Sequence, residues 1–600
     1  MAYIVFDPDM SIAPAVSSHL SFTRLGVPRP RYERIVSLLE SRFTSDSMFV
    51  FSRLRALLGE QEEYTDQELY IHCERMQYRL QGTDGVRGRV QYRTKTPDPI
   101  QLFMKERVIT GGFCFHYTRG FLKMLQENDG KLPQEVAFGE DGRDFHRGGE
   151  LKDMIFRALG SQGVRGIDLG TVPTPYLSRY SQAHGIPALM LTASHNPESH
   201  NGIKLFVDGR KLYPSGPLGE YRLSSIILQE PQESIRVAHA LPTLKTPEMR
   251  TQIIEELVGE VRDLDAAFFE HHPLVVDCAN GAASSYLIEA LEQAQIPHLP
   301  LFCRQGKGLI NDGCGVASIE EIQHESQERL HRHPTVQALV REVEHRQSEE
   351  GYAIVLDGDG DRAFIIRYRE GSVEILNGDH LGYLIVRSLK GIHRVYHTIE
   401  SSYAMRNALR DSGLLADPVE PEITCVGDRW LAHEMFDSRD PAVGFESSGH
   451  VMFPQEIRNT KGETLRNYSG NGMRTAVWAL RELIRNDIDL RIFETFEEKV
   501  TYRNGDINKF FRESGLWKKV RVTVRNSSAC AAQEEEFKDE PDLLFFFLSQ
   551  GEQQIGWCYA RPSGTEAKLT VRISVISQYR EIAQQIMHGV TQVMDTTFSL

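Results

Sequence analysis

Residues 186–206 read IPALMLTASHNPESHNGIKLF, and this stretch joins an apolar strand to a polar loop. The run 186–191 is typical of a buried strand, whereas residues 192–201 are small, polar or turn-forming. A serine at such a strand end, Ser194, is expected to sit on a rigid base and to be open to a cleft. A serine hydroxyl needs a base, a metal or prior phosphorylation to become a useful nucleophile. Ser194 is the candidate covalent catalytic residue, although an ordinary polar loop could have this composition.

A second apolar strand runs directly into three aspartates in residues 352–364, YAIVLDGDGDRAF. Asp357, Asp359 and Asp361 alternate with glycines, and carboxylates this close repel one another unless a cation neutralises them. A calcium EF-hand loop requires glycine where this chain has Arg362. Hard oxygen ligands that share the ion with a phosphate group favour Mg²⁺, so the stretch predicts a magnesium site.

Two further loops have side chains suited to a phosphorylated sugar. Residues 444–450 read GFESSGH, and carboxylates and hydroxyls of this kind hydrogen-bond sugar hydroxyls. Residues 561–572 read RPSGTEAKLTVR, in which an arginine precedes a Ser-Gly-Thr turn that could cradle a phosphate group. Either loop alone could be a plain surface turn, so the prediction depends on their combination with the first two.

These four loops, in this order, resemble those of the α-D-phosphohexomutases, the family of phosphoglucomutase, phosphomannomutase and phosphoglucosamine mutase. Five more segments are similar to family motifs: QGTDGVRGR at 81–89, GRDFHRGG at 142–149, GTVPTP at 170–175, VVDCANG at 275–281 and VGDR at 426–429. The resemblance covers residues 76–600. It implies an α/β fold with three similar α/β/α layered domains and a smaller C-terminal α+β domain around a central cleft.

The chain itself also alternates apolar strands with helical patterns, which is typical of α/β layers with functional loops at strand ends. Together with the resemblance, this predicts a phosphoserine domain at 76–245, a metal-binding domain at 246–372, a sugar-binding domain at 373–496 and a phosphate-binding domain at 497–600. Residues 1–75 form an N-terminal extension that we expect to be a packing or association element.

The resemblance implies a mutase that interconverts hexose 1-phosphate and hexose 6-phosphate through a phosphoserine, with hexose 1,6-bisphosphate as intermediate and activator. The implied catalytic residues are Ser194, Lys204, His450, Arg87, His195 and Arg362. The implied Mg²⁺ ligands are Ser194, in its phosphorylated form, and Asp357, Asp359 and Asp361. The implied substrate-binding residues are Gly427, Asp428, Glu446, Ser448, Arg561, Ser563, Gly564 and Thr565.

Glucose phosphate, mannose phosphate or both are the expected substrates. If Glu446 and Ser448 hold the hydroxyls on carbons 3 and 4, the group on carbon 2 has no dedicated partner, and the site discriminates little between isomers at that carbon. Phosphoglucosamine mutase is an alternative, because the NGIK segment 201–204 occurs in that branch too. A hexose 1,6-bisphosphate synthase is a second alternative, and a phosphosugar-binding protein without turnover is a third.

The 600-residue chain has 40% apolar and 25% charged residues, the composition of an ordinary globular protein. Its net charge of −15 argues against a nucleic-acid partner. The expected partner is a small phosphosugar, attracted by local cations that face one cleft. These cations are expected to be Arg87, Arg143, Lys204, Arg362 and Arg561.

Eight cysteines without CxxC spacing indicate reduced thiols. The start of the chain has no secretory pattern, and the apolar run 543–548 is too short to span a bilayer. We therefore expect a cytoplasmic protein without a membrane partner, whose oligomeric state is open between monomer and dimer.

Residues 318–351 form a charged stretch with four histidines ahead of the metal loop. Solvated helices are the expectation for this stretch, and a zinc cluster is the alternative, although Pro334 interrupts the spacing. The acidic run 534–536 is expected to be a loop or a solvated face.

Overall fold

The computed structural model describes residues 80–598, except 95–97, 215, 230–243, 246, 390, 412, 414–419, 439, 487, 489–494, 504–509, 513, 528, 538–539, 541 and 563–567. The N-terminal extension and the predicted phosphate-binding residues Ser563, Gly564 and Thr565 lie outside the described residues. Four main sheets follow one another along the described part of the chain.

The first sheet is mixed. One of its central strands leads into residues 192–199, which contain Ser194 and which we call the serine loop. Its strands are Val86–Val90, Val108–Ile109, Glu135–Glu140, Arg165–Thr171, Ala188–Leu191, His200–Val207, Arg210–Lys211 and Leu244–Lys245. Its helices are Pro99–Glu106, Gly111–Asp129, Glu150–Ser161, Thr174–His184 and Glu220–Gln229. The buried strand Ala188–Leu191 is antiparallel to His200–Val207, so residues 192–199 form the connection between two core strands.

In the second sheet, the three aspartates lie in the short connection 357–362 between two neighbouring strands, which we call the aspartate loop. Its strands are Leu274–Asp277, Leu299–Leu301, Glu350–Leu356, Ala363–Arg369 and Ser372–Leu376. Its helices are Pro247–Val261, Ala266–His271, Ser284–Gln293, Gly315–Glu320, Gln327–Leu330 and Pro334–Arg346. Strands Glu350–Leu356 and Ala363–Arg369 pair antiparallel up to Leu356 opposite Ala363, which fixes both ends of the aspartate loop on buried strands.

The third sheet positions the predicted sugar loop in the same manner. Its strands are Arg394–Thr398, Glu422–Thr424, Ala442–Phe445 and Val451–Met452, beside a separate ribbon of Gln455–Arg458 and Thr464–Asn467. Its helices are Gly378–Ser388, Tyr403–Asp411, Asp428–Asp437 and Gly472–Asn486. Residues 446–450 join the antiparallel strands Ala442–Phe445 and Val451–Met452.

The fourth sheet is entirely antiparallel and has helices beside it, as expected of an α+β domain. Its strands are Thr495–Tyr502, Ala531–Glu535, Leu544–Gln550, Gln553–Pro562 and Leu569–Ile576, and its helices are Gly515–Arg525 and Arg580–Phe598. None of the described helices has the length and apolarity needed to cross a bilayer.

The acidic run 534–536 is a solvated face and not a loop, since Glu535 and Glu536 are exposed while the run begins within a strand. Glu534 and Glu535 lie in strand Ala531–Glu535. The carboxylate of Glu534 accepts hydrogen bonds from Arg521 at 2.7 Å and from Arg525 at 2.6 Å, both on the neighbouring helix. These two cations compensate the acidic strand, so its charge is compatible with sheet formation.

The histidine-containing stretch 318–351 folds into short helices, and Pro334 opens the last of them instead of interrupting it. The His333 ring caps this helix: Nδ1 accepts from the Thr335 backbone N–H at 3.3 Å, and Nε2 contacts Ser318 Oγ at 2.9 Å. Within the described residues, three metal-ligating side chains converge only at Asp357, Asp359 and Asp361. The zinc alternative is therefore not supported.

One continuous hydrophobic core includes side chains from the first three sheets, among them Phe206, Val276, Phe445 and Leu480. The fourth sheet and its helices have a core of their own around Trp517. The shared core fixes the first three sheets against one another, so loops at their ends can meet with defined geometry. The multidomain α/β fold is thus confirmed, while the individual domain boundaries stay predictions.

We predict that Gly378→Ala destabilises the protein, because the added methyl group would collide with the backbone of the sugar loop, residues 446–450. A Cβ atom at this helix start would lie 1.9 Å from the Glu446 carbonyl oxygen, so backbone must move, at a cost of about 1–3 kcal/mol. Gly259→Ala is the matched control, because its Cβ meets no described atom within 4 Å and helix propensity should add about 0.5–1 kcal/mol. Thermal unfolding should give a lower Tm for the first variant and an unchanged or higher Tm for the second; equal melting would contradict this packing.

Candidate active site

A cleft of about 600 Å³ lies where loops from all four sheets meet. Of the predicted site residues, those that line it are Arg87, His195, Arg362, Gly427, Asp428, Glu446, Ser448 and Arg561. A second group is buried in its wall, namely Ser194, Lys204, Asp357, Asp359, Asp361 and His450, each 0–1% exposed. The structure therefore brings together every predicted site residue that it describes.

Ser194 differs from the sequence expectation in its exposure. The residue is 0% exposed, because its hydroxyl points into the aspartate loop and donates to Asp357 Oδ2 at 2.8 Å. Its backbone has a positive φ of 50°, and its N–H donates to Thr192 Oγ1 at 2.8 Å. Ser194 thus joins the first and second sheets through this hydrogen bond.

Arg143 supports the serine loop and does not face the cleft, contrary to the sequence expectation. Its guanidinium is buried, donates to Asp141 at 2.8 Å and donates to the Ser194 carbonyl oxygen at 2.8 Å. Asn311 donates to the same Ser194 carbonyl at 2.7 Å. Asp141 neutralises Arg143, so this arginine acts as a hydrogen-bonding scaffold and not as a free cation for phosphate.

The three aspartates form a compact group of acidic oxygens. One ligand atom from each of Asp357, Asp359 and Asp361 lies within 4.8 Å of the others. Oδ1 of Asp359 and Oδ1 of Asp361 are buried and have no hydrogen-bond partner among the described residues. Burial and repulsion from the other two carboxylates raise the pKa of Asp357 well above its usual range. Unpartnered hard oxygens with excess negative charge fit a Mg²⁺ ion.

Lys204 supplies part of the balancing charge. Its Nζ atom lies 2.7 Å from Asp359, 2.7 Å from Asp361 and 2.9 Å from Asp84. Burial alone would lower the pKa of Lys204, but these carboxylates outweigh it and raise the pKa well above the usual value. Lys204 is therefore a fixed ammonium group beneath the cleft.

His450 and Lys204 belong to one closed circuit of polar contacts between ionisable side chains, which we call the charge ring. Its members, each in contact with the next, are Lys204, Asp84, Lys211, Asp428, His450 and Asp361. Lys211 lies 2.7 Å from Asp84 and 2.6 Å from Asp428, so it joins the first sheet to the third. His450 Nε2 lies 3.3 Å from Asp428, and burial lowers the pKa of His450 although the neighbouring carboxylates oppose this.

Asp84 and Lys211 were missed as site residues by sequence reasoning. Asp84 lies inside the QGTDGVRGR segment, so the motif itself contained the signal. Lys211 lies in a short strand seven residues beyond Lys204, and its role depends on partners far away in the chain.

The sugar loop holds its carboxylate by one strong and one weak hydrogen bond. Glu446 Oε1 accepts from the Gly427 backbone N–H at 2.8 Å, and Oε2 accepts from Ser448 Oγ at 3.4 Å. Gly427 has a positive φ of 121°, which favours glycine at this turn. Burial raises the pKa of Glu446 to about 7, although Arg362 opposes this.

Three predicted residues, Arg87, His195 and Arg362, line the cleft near Asp84 and Asp361. The Arg87 guanidinium donates to Asp84 at 2.8 Å and to Asn196 at 3.3 Å. Partial burial, together with Arg362 and Arg87, lowers the pKa of His195, so this ring is neutral at physiological pH. Arg362 also lines the cleft, with Nε 3.9 Å from Asp361 Oδ1.

The far end of the cleft is built on the fourth sheet. Arg561 makes two hydrogen bonds to Glu540, one of them at 2.9 Å. Lys499 and Lys568 line the same end, and sequence reasoning singled out neither, although Lys568 lies within the quoted segment 561–572. This end combines three cations with the carboxylates of Glu400 and Glu540.

Comparison with known proteins agrees with this geometry. Residues 78–216 match the family model "Phosphoglucomutase/phosphomannomutase, alpha/beta/alpha domain I", and residues 377–494 match the corresponding domain III model. The phosphoglucosamine mutase of Deinococcus deserti is 26% identical over 75% of this chain and 88% of its own. That of Limosilactobacillus fermentum is 27% identical over 86% of this chain and 100% of its own.

The chain belongs to the α-D-phosphohexomutase family. It is therefore an enzyme, an isomerase that moves a phosphoryl group within a hexose phosphate. A crystal structure of a phosphoglucomutase/phosphomannomutase family protein from Burkholderia thailandensis has the same fold, with a TM-score of 0.58 and 18% identity over 86% of this chain and 98% of that chain. Both curated relatives are phosphoglucosamine mutases, which sequence reasoning held as the alternative to glucose and mannose enzymes.

For this phosphohexomutase we predict that Ser194→Ala lowers turnover by about three orders of magnitude or more, because it removes the attacking oxygen. Intact-mass measurement of the wild-type protein should show a partial phosphate adduct that maps to Ser194. Ser199→Ala is the matched control, because Ser199 is exposed on the same loop and its hydroxyl contacts the neighbouring His200 Nδ1 at 3.2 Å. Near-normal turnover of Ser194→Ala, or phosphate on another residue, would contradict a phosphoserine at this position.

We also predict that Asp359→Asn weakens magnesium binding and turnover together. The change removes one carboxylate charge from the metal group and from the contact with Lys204. Magnesium titrations of turnover should show a higher half-saturating concentration, and excess chelator should abolish wild-type activity reversibly. Asp312→Asn, at an exposed position of the same domain, should leave the titration unchanged. Full activity of the wild type in chelator would exclude the metal role.

Proposed function

We propose that this enzyme interconverts glucosamine 1-phosphate and glucosamine 6-phosphate. The observation that carries the proposal is a pair of acidic side chains, Glu320 and Glu446, that line the cleft. Burial raises the pKa of both carboxyl groups, although Arg362 opposes the shift. A substrate with an ammonium group on carbon 2 would compensate these carboxylates, whereas a neutral hexose would not.

The names of the relatives support the same substrate. Phosphoglucosamine mutases match this chain over three quarters or more of its length. The expectation of glucose or mannose phosphate came from a sugar loop that ignores carbon 2. Two acidic side chains in the cleft argue against a site that makes no contact with the group on carbon 2, because a buried acidic group prefers a cationic partner.

We further propose that Ser194 carries the phosphoryl group in the active enzyme. When bound by Asp357, Asp359, Asp361 and a phosphoserine oxygen, Mg²⁺ would neutralise charge on the transferring group. Arg87 and Arg362 line the cleft above these residues and would orient the phosphoryl oxygens. Lys204, a fixed ammonium group, would hold the aspartates in place as charge moves.

Proton transfer and sugar binding fall to the remaining residues of the site. We assign the proton exchange of the substrate hydroxyl to His195 or His450, of which His195 lines the cleft and His450 lies behind Asp428. Glu446 and Ser448 would hydrogen-bond the sugar, with Gly427 and Asp428 fixing the loop beside them. Arg561, with Lys499 and Lys568, would hold the phosphate group that is not transferred while hexose 1,6-bisphosphate reorients.

The test is a comparison of kcat/KM for glucosamine, glucose and mannose 1-phosphates in one coupled assay. We expect glucosamine 1-phosphate to be preferred by about 100-fold or more, because a site with partners for a polar group rejects analogues that lack it. Equal turnover of the neutral hexose phosphates would refute the proposal and return the enzyme to the glucose and mannose assignment.

Two variants sharpen this test. Glu446→Gln should reduce the preference for glucosamine, because an amide cannot compensate an ammonium group. Glu106→Gln is the matched control, since Glu106 is an exposed carboxylate at the rim of the same cleft. Stoichiometric accumulation of hexose 1,6-bisphosphate from an external phosphoryl donor would instead identify a bisphosphate synthase.

A further inference from the structure

Two cysteines lie side by side where two parallel strands of the second sheet end. Cys278 follows strand Leu274–Asp277, and Cys303 follows strand Leu299–Leu301, whose register pairs Leu301 with Asp277. Both residues bond the Leu301 carbonyl oxygen: the Cys278 backbone N–H at 3.1 Å and the Cys303 thiol at 3.3 Å. Cys278 is buried and Cys303 is exposed.

This pair has the arrangement of a reactive thiol with a resolving thiol beside it. The neighbouring Cys278 thiol lowers the pKa of the Cys303 thiol, whereas this neighbour and burial raise the pKa of Cys278. An exposed thiol of lowered pKa next to a second thiol is the usual setting of a redox-sensitive cysteine.

The segment that carries Cys278 also braces the site. The Ala282 backbone N–H donates to the Gly358 carbonyl oxygen in the aspartate loop at 2.8 Å. The Ala279 carbonyl accepts from the Asn311 backbone N–H at 3.0 Å, and the Asn311 side chain donates to the Ser194 carbonyl at 2.7 Å. Any movement of residues 278–282 is therefore transmitted to both the aspartate loop and the serine loop.

Space around this segment is too limited to absorb a shift. A Cβ atom at Gly281 would lie 2.2 Å from the Gly358 carbonyl oxygen, so the two backbones are already in close contact. Cys278 is followed by Ala279 and Asn280, with positive φ values of 52° and 53°, which leaves this turn few alternative conformations.

We propose that Cys278 and Cys303 form a modification site, at which a peroxide converts the two thiols into a disulfide that slows the mutase. The Cys303 thiolate attacks one peroxide oxygen, so an S–O bond forms, the O–O bond breaks, and the departing hydroxide takes up a proton to become water. The Cys278 thiol then attacks the resulting sulfenic acid. The S–S bond forms, the S–O bond breaks, and the leaving hydroxide takes the Cys278 proton as water.

Hydrogen peroxide is reduced to two water molecules in this sequence, and the two thiols are oxidised. Formation of the S–S bond draws the sulfurs to about 2 Å, well inside hydrogen-bonding distance. The strand ends must approach each other, and the Cys278 segment pulls on the aspartate and serine loops. Displacement of a reacting group by about 1 Å can cost about a hundredfold in rate.

The direct test is treatment of the whole protein with hydrogen peroxide, alkylation of the remaining thiols and non-reducing peptide mapping. We expect a linked pair of peptides that contain Cys278 and Cys303, lighter by two hydrogens than the reduced sum and cleaved by dithiothreitol. Cys530 and Cys558 provide an internal control, because burial raises the pKa of both thiols. A link between Cys530 and Cys558, or irreversible oxidation of Cys303 without a link, would overturn the proposal.

Turnover measurements distinguish a disulfide that has no effect on the enzyme from one that inhibits it. Peroxide should lower wild-type turnover about tenfold or more, and dithiothreitol should restore it. Cys303→Ser should keep its turnover in peroxide, whereas Cys530→Ser should respond as the wild type does. Equal peroxide sensitivity of Cys303→Ser and wild type, or a complete Cys278–Cys303 link with unchanged turnover, would overturn the control of the site by this pair.

Discussion

The charge ring around Lys204 is the interaction on which the rest of the site depends. The Lys204 Nζ atom contacts three carboxylates at 2.7–2.9 Å, and Lys204 is only 1% exposed. Without a cation there, Asp359 and Asp361 would be adjacent buried charges, which is among the most costly arrangements in a protein. Lys204 permits the aspartates to be ionised and close together before any metal ion binds.

The ring also explains why the domains need one another. Asp84, Lys204 and Lys211 come from the first sheet, Asp361 from the second, and Asp428 and His450 from the third. Removing one partner of a buried ion pair costs about 3–5 kcal/mol, because it leaves the other charge uncompensated. The ring therefore closes only when the three sheets dock on their shared core. Packing of the shared core positions the side chains of the charge ring, and their contacts in turn favour the docked arrangement of the three sheets.

The sequence predicted the loops well and their mutual orientation poorly. The strand-to-loop transitions at Ser194 and Asp357 follow from local patterns, so both were found. Arg143 was expected to face the cleft, yet Asp141, two residues away, and the serine-loop carbonyls, more than 50 residues away, hold it inside. Lys211 was missed for the same reason, since its partners Asp84 and Asp428 are set by tertiary structure.

Two cations of the cleft, Arg87 and Arg561, are already paired, and this pairing suits a substrate that must bind in two orientations. Arg87 bonds Asp84, and Arg561 bonds Glu540, so neither guanidinium awaits phosphate as a bare charge. A phosphate group that arrives exchanges with a carboxylate, and the net gain is smaller than for an unpaired cation. Such a site binds both ends of a bisphosphate with moderate strength and can release either. A mutase needs this property, because an intermediate held too tightly at one end could not turn around between its two transfers.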